Sequence, residues 1–165
     1  MTRKTKPATT PATVQLDEAG VVYVAHSYDH DARSTEYGAE AASLLGIDPA
    51  QMFKTLIVNS GRDFAVALVP VAALLDIKAL GVVLSLKKLG MADPAAAQRR
   101  TGYVLGGISP LGQRTISPTV IDASAADWAD IYVSGGRRGL SLQLSARDLA
   151  LVTGARLAPI ANFIG

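Results

Sequence analysis

The chain contains no cysteine in its 165 residues. That absence removes a disulfide framework, a Cys-rich zinc site and a thiol nucleophile together, and it fits a reducing, cytoplasmic setting. Aromatic residues are scarce, at 5%, so the core has to be built from Val, Leu, Ile and Ala. Charged residues are few as well, at 18% against 49% hydrophobic. That balance excludes an intrinsically disordered chain and points to a folded globular domain. Long apolar runs are also missing. The most apolar window, 64–75, is interrupted by Pro70 and closed by Asp76, which is too short to span a membrane.

The formal net charge of +2 and the pI near 9.0 suggest an anionic partner only until the charge is located. Arg3, Lys4 and Lys6 lie in "MTRKTKPATTPAT", which holds no acid; the remainder has 13 basic and 14 acidic residues. Any contact with nucleic acid must therefore come from a local basic patch. The same N-terminal stretch has no apolar segment of the kind a secretory signal needs. Residues 1–12 are expected to form a disordered tail ahead of a single domain over 13–165.

Strand and helix signals alternate without a regular βαβ beat. Thr10 or Thr13 is placed to cap a helix that Gly20 stops. "VVYVAHSY" (21–28), "MFKTLIVNS" (52–60) and "DFAVALVP" (63–70) are β-branched or apolar and read as strands, the last two joined as a hairpin through Gly61-Arg62. Helices are expected over 39–46, from Asp76 to about Leu84, from Asp93-Pro94 to about Arg100, and after Ser145 up to Gly154. "LKKLGMA" reads as an edge-like strand. "PTVIDA", "DIYVSG", "GLSLQLS" and "ARLAPIA" supply further strands. The fold class is α/β, or α+β, around a mixed and largely antiparallel sheet.

Familiar catalytic constellations are absent or weak. His26, Asp29, His30 and Asp31 resemble a metal cluster, but they leave a strand for a polar loop, and no metal is expected. No G-x-S-x-G elbow occurs, and Ser109 sits in "GISP". Neither a Walker A pattern nor G-x-G-x-x-G is present, which disfavours nucleotide hydrolysis and dinucleotide binding. No cofactor is expected.

Three features remain. Lys54 lies inside the apolar "MFKTLIV", where it is either a snorkelling surface lysine or a binder of an anion or carbonyl in a cleft. "TGYVLGGISPLGQ" (101–113) is either a structural turn or a loop whose backbone N–H groups cradle an ester carbonyl or a phosphate. "VSGGRRGL" (133–140), with Arg137 and Arg138, is either an ordinary hairpin or a contact for a phosphate backbone.

"FKTLIV", "MADPAAAQRRTGYVLGGISPLGQ" and "IYVSGGRRGL", in this order and spacing, resemble the YbaK/EbsC family of bacterial Cys-tRNA(Pro) deacylases. These are free-standing relatives of the editing domain of bacterial prolyl-tRNA synthetases. The likeness covers nearly all of the chain after residue 12. It implies a partly barrel-like mixed sheet flanked by helices, and hydrolysis of the ester joining a wrong amino acid to tRNA. It carries the functional lysine onto Lys54 and the G-x-x-x-P signature onto Gly106–Pro110, with Gly106 and Gly107 in the catalytic loop. Tyr28, Tyr37, Ile108, Ser109, Pro110 and Ser134 would shape the substrate site, and Arg137 and Arg138 would meet tRNA. In the implied chemistry the substrate's own cysteine thiol attacks its ester, which accounts for a loop bare of nucleophiles.

Two departures stand out: Ser141 where the family commonly has an acid, and Tyr37 where it commonly has Phe. The implied partners are the acceptor end of tRNA(Pro) carrying cysteine, and prolyl-tRNA synthetase; the implied compartment is the cytoplasm. The alternatives are a non-catalytic module for aminoacyl-tRNA or a nucleotide, and a deacylase of Ala- or Ser-charged tRNA.

Overall fold

A computed structural model describes residues 9–163, and within it the first helix begins where the sequence offers a reciprocal cap. The Thr10 hydroxyl accepts from the Thr13 backbone N–H, and the Thr13 hydroxyl accepts from the Thr10 backbone N–H. Helix α1 spans Pro11–Ala19. Residues 10–12, assigned to the tail from sequence, thus belong to ordered structure, while 1–8 lie outside the described residues.

Strand β1 (Val24–Ser27) is shorter than expected, because residues 21–23 have no strand to pair with and Val22 is 84% exposed. Helix α2 covers Tyr37–Leu45. Strands β2 (Phe53–Ser60) and β3 (Asp63–Pro70) form the expected hairpin, paired from Phe53–Pro70 to Ser60–Asp63. Strand β4 (Ala73–Leu75) and helix α3 (Ile77–Leu84) follow, the helix capped by the Asp76 carboxylate on the Ala79 N–H. Then come β5 (Gly90–Met91), α4 (Pro94–Thr101, capped by Asp93) and β6 (Thr119–Asp122). A 3-10 turn over Ala123–Asp127 leads to β7 (Ile131–Ser134) and β8 (Leu140–Leu144). Helix α5 (Ala146–Thr153), capped by Ser145, and strands β9 (Arg156–Ala158) and β10 (Ala161–Phe163) complete the described chain.

The strands form a three-stranded sheet β1-β8-β7, a five-stranded sheet β5-β2-β3-β6-β9 and a small pair β10-β4. Only β3–β6 and β6–β9 pair in parallel among the described strands. The sheets do not close into a barrel; a single parallel bridge, Met52–Tyr132, links the start of β2 to β7.

Strand β3 sits at the centre, and its two faces enter different cores. Val66 and Leu68 join Phe53, Ile57, Ile121, Val133 and Leu142 between the two main sheets. Ala65, Ala67 and Val69 pack with Val58 and Leu80 on the face covered by α3. Strict alternation along a strand buried on both sides produces this division.

The first core also holds Tyr103, 5% exposed. Its hydroxyl donates to the Leu111 carbonyl at 2.7 Å. Burial pushes this phenol up to about 12 from 10.0, with a backbone bond from Ala12 opposing. Between those two values an unfolded chain has released the proton and the folded chain retains it, so stability falls as pH rises. Unfolding free energy should drop by about 2–3 kcal/mol between pH 10 and 12 from this group, and Tyr103→Phe should flatten that part of the curve. Denaturant titrations of both proteins across that range check it.

Candidate active site

A cleft of about 420 Å³ opens at the start of β2. It is walled by the start of β2, the ends of β7 and β8, the entry to α2, and the glycine-rich loop after α4. Lys54, Tyr28, Tyr37, Gly106, Ile108 and Ser134 all line it.

Lys54 is half-buried, on the face of β2 opposite Phe53 and Thr55. Among the described residues no carboxylate lies within ion-pair distance of its amino group. Burial pulls the Lys54 ammonium below the ordinary lysine value, and the negative field of Glu36 opposes that. A half-buried cation without a bonded partner, with the exposed Glu36 as the acid on the cleft lining, attracts a substrate anion or a developing negative charge.

The loop approaches the cleft through Gly106. Its φ is +84°, and a Cβ there would stand 2.5 Å from the Tyr37 ring. Conformation and space together therefore require glycine at this position. Tyr37 is held from its other sides as well: the Arg138 guanidinium lies 4.9 Å from its ring centre and the His30 ring 5.8 Å away. His30 in turn is 2.6 Å from Glu40, and this contact holds the Glu40 carboxyl below the usual carboxylate range. Arg138 Nε donates to the Leu105 carbonyl at 2.7 Å, which ties the two glycine-rich loops together. Among the described residues the Gly106 and Ile108 N–H groups donate to no protein acceptor, whereas the Gly107 N–H is spent on the Val104 carbonyl at 2.9 Å.

Tyr28 closes the opposite side, its N–H bonded to the Gly139 carbonyl at 2.9 Å. Burial pushes its phenol up, with a Gly139 backbone bond and the positive field of Arg137 opposing. The Ser134 hydroxyl accepts from the Gly136 N–H at 3.3 Å, and the Ser141 hydroxyl donates to the Val133 carbonyl at 3.3 Å. Neither has an imidazole or carboxylate partner among the described residues, so neither is an activated nucleophile.

Several residues that sequence placed at the site stand elsewhere. Ser109 and Pro110 are buried behind the loop, where the Ser109 hydroxyl accepts from the Leu111 N–H at 3.2 Å. Gly107 is buried against the Arg137 backbone. Arg137 and Arg138, expected to meet tRNA and not the aminoacyl end, lie in the neighbouring loop outside the cleft lining. Sequence reasoning had not singled out Glu36 or Thr55, which do line it. Glu36 lies in an undistinguished polar loop. Thr55 is marked only once the fold shows its buried hydroxyl without a partner. Among the described residues no group of three His, Cys, Asp or Glu side chains is placed to hold a metal ion. Nor is any described helix long and apolar enough to cross a membrane.

The architecture and this cleft define a class: residues 32–151 match the aminoacyl-tRNA editing domain, and the chain belongs to that family of deacylases. Its sequence is 31% identical over 163 residues, 97% of this chain and 98% of the other, to EbsC of Enterococcus faecalis, by name a Cys-tRNA(Pro)/Cys-tRNA(Cys) deacylase. A solved structure described as a trans-editing enzyme for prolyl-tRNA synthetase superposes with a TM-score of 0.82 at 22% identity, covering 96% of this chain and 99% of its own. The hypothetical protein APE2540 has the same fold, with a TM-score of 0.82 at 25% identity over 93% of this chain and all of its own.

Gly106→Ala should displace Tyr37 and strain the loop, lowering aminoacyl-ester turnover roughly 10²-fold and stability by about 1–3 kcal/mol. Gly46→Ala, at φ +68° with open space around it, is the control and should lose stability without losing turnover. Deacylation rates and thermal melts of the two variants check this.

Proposed function

We propose that the protein is a trans-editing deacylase of Cys-tRNA(Pro) in which the substrate supplies the nucleophile and the cleft orients the ester. One observation carries the reading: the cleft is lined by a half-buried lysine and by two loop N–H groups that have no protein partner among the described residues, while its serine hydroxyls are bonded to the backbone. The name borne by the Enterococcus faecalis relative supports the amino acid and the tRNA.

In this reaction the cysteine thiol gives up its proton and its sulfur forms a bond to the ester carbonyl carbon. The bond from that carbon to the ribose oxygen breaks. The ribose oxygen keeps the electron pair and takes a proton, and the amino acid leaves as a cyclic thiolactone. The carbonyl oxygen carries negative charge at the midpoint. The N–H groups of Gly106 and Ile108 are the donors available to it, and Lys54 supplies positive charge to it or to the neighbouring terminal adenosine. Tyr28, Tyr37 and Ser134 confine the aminoacyl end.

Selection follows from the chemistry. Serine offers a weaker nucleophile than cysteine at neutral pH, alanine offers none, and proline cannot cyclise this way, so correct product survives. With a nearly neutral body, the protein takes hold mainly of the acceptor end and borrows tRNA specificity from prolyl-tRNA synthetase in the cytoplasm.

Deacylation of Cys-, Ala- and Pro-tRNA(Pro) is the test. The Cys ester should be lost rapidly and the other two spared. Lys54→Ala should cut turnover of the Cys ester by roughly 10²–10³-fold while the protein stays folded. Turnover of the Ala ester would require an activated water and would overturn substrate-assisted chemistry. No turnover of any ester would leave a binding module.

A further inference from the structure

The stretch 77–89, "IKALGVVLSLKKL", contains Lys78, Lys87 and Lys88 and no acid. Helix α3 and the loop that returns from it enclose a second, shallow groove, lined by these three lysines and by apolar residues. All three lysines are exposed, and so is Val82, at 79%. None of the three is in an ion pair among the described residues. The nearest acids in sequence are otherwise placed: the Asp76 carboxylate caps α3 and the Asp93 carboxylate caps α4. Asp63 sits across the β2–β3 turn beside exposed Arg62.

The loop has a defined conformation. Ser85 and Lys88 both adopt positive φ, 55° and 54°, and are the only non-glycine residues to do so among those described. The Ser60 hydroxyl at the end of β2 donates to the Lys87 carbonyl, which fixes the loop to the hairpin. The Arg156 guanidinium donates to the Val83 carbonyl at 2.9 Å and adds another cation at the margin.

Position relates this patch to the cleft. Lys54 and Ser60 are six residues apart on one strand, about 20 Å at strand rise. Lys54, Leu56 and Val58 share a face of β2, and Leu56 and Val58 pack with Leu80, Val83, Leu84 and Leu89. The lysine groove therefore lies on the face toward which Lys54 points. A cationic surface there meets the phosphate backbone of an RNA whose aminoacyl end occupies the cleft.

We propose that Lys78, Lys87 and Lys88 form a phosphate-backbone contact for the tRNA substrate, separate from the aminoacyl cleft. The proposal rests on the reading that the substrate is a charged tRNA. The contact is sequence-independent and electrostatic: it raises affinity and sets the salt dependence, and it leaves the chemical step alone.

The test combines Lys78→Ala, Lys87→Ala and Lys88→Ala in the full chain and measures uncharged tRNA(Pro) binding across a salt series. Affinity should fall about tenfold or more at low salt, and the slope of log affinity against log salt should flatten by about 3. The matching triple Arg variant should restore both. KM for Cys-tRNA(Pro) should rise with kcat retained, whereas Lys54→Ala should lose kcat and keep tRNA binding. Unchanged affinity and slope in the triple Ala variant would overturn the proposal, whether the groove then proves idle or meets an acidic protein. Weaker binding with an unchanged slope would overturn it equally. A wild type that binds tRNA through the groove but deacylates no ester would defeat the enzymatic reading and leave this contact standing.

Discussion

Two glycine-rich loops border the cleft, and neither has enough side chain to hold itself in place. The first turn of α1 does it for them. Thr10 donates its hydroxyl to the Gly135 carbonyl at 2.6 Å, and the Gln15 side chain accepts from the Gly112 N–H at 2.7 Å. Tyr103, lodged beside that turn, reaches back to Leu111. One helix end is thus wedged between the loops at 103–113 and 134–139, and the buried hydrogen bonds it makes are costly to leave unmade. The Arg138–Leu105 bond then closes the gap on the outer side.

That bracing suits the chemistry. A cleft that orients an ester instead of attacking it needs fixed backbone donors and few reactive side chains. Gly106 gives the approach, Tyr37 limits the space, and Lys54 contributes charge made more effective by partial burial. The Ser141 position is instructive. Its hydroxyl is turned to the Val133 carbonyl, so this wall of the cleft is polar without being charged. Glu36 is the acid on the cleft lining, and it is exposed.

Much of the fold was legible because its signals are local. Asp76, Asp93 and Ser145 cap the helices they precede, and the hairpin turn at Gly61-Arg62 sets the β2–β3 register. The β10–β4 pair was not legible, since three-residue strands carry no period and their pairing is long-range. The site divides along the same line. Lys54 stands out as a charge in an apolar strand, and the resemblance brought in Gly106, Tyr28, Tyr37 and Ser134. Ser109 and Pro110 sit in the same loop as Gly106, yet they face inward. An irregular loop has no alternation from which an inward and an outward face can be told. Glu36 and Thr55 gain meaning only from what the folded chain sets beside them.

The wedge at Thr10 spans a sequence separation of 125 residues, and the first strand, β1, pairs with β8 from Val24–Gln143 onward. The cleft therefore has no early, partial form. The hairpin β2–β3 and the capped helices can take shape from their own neighbourhoods, but the walls must wait for distant segments to close large loops. Lys54 is set by a local hairpin, whereas the loops that carry the donors are held by segments far away in the chain.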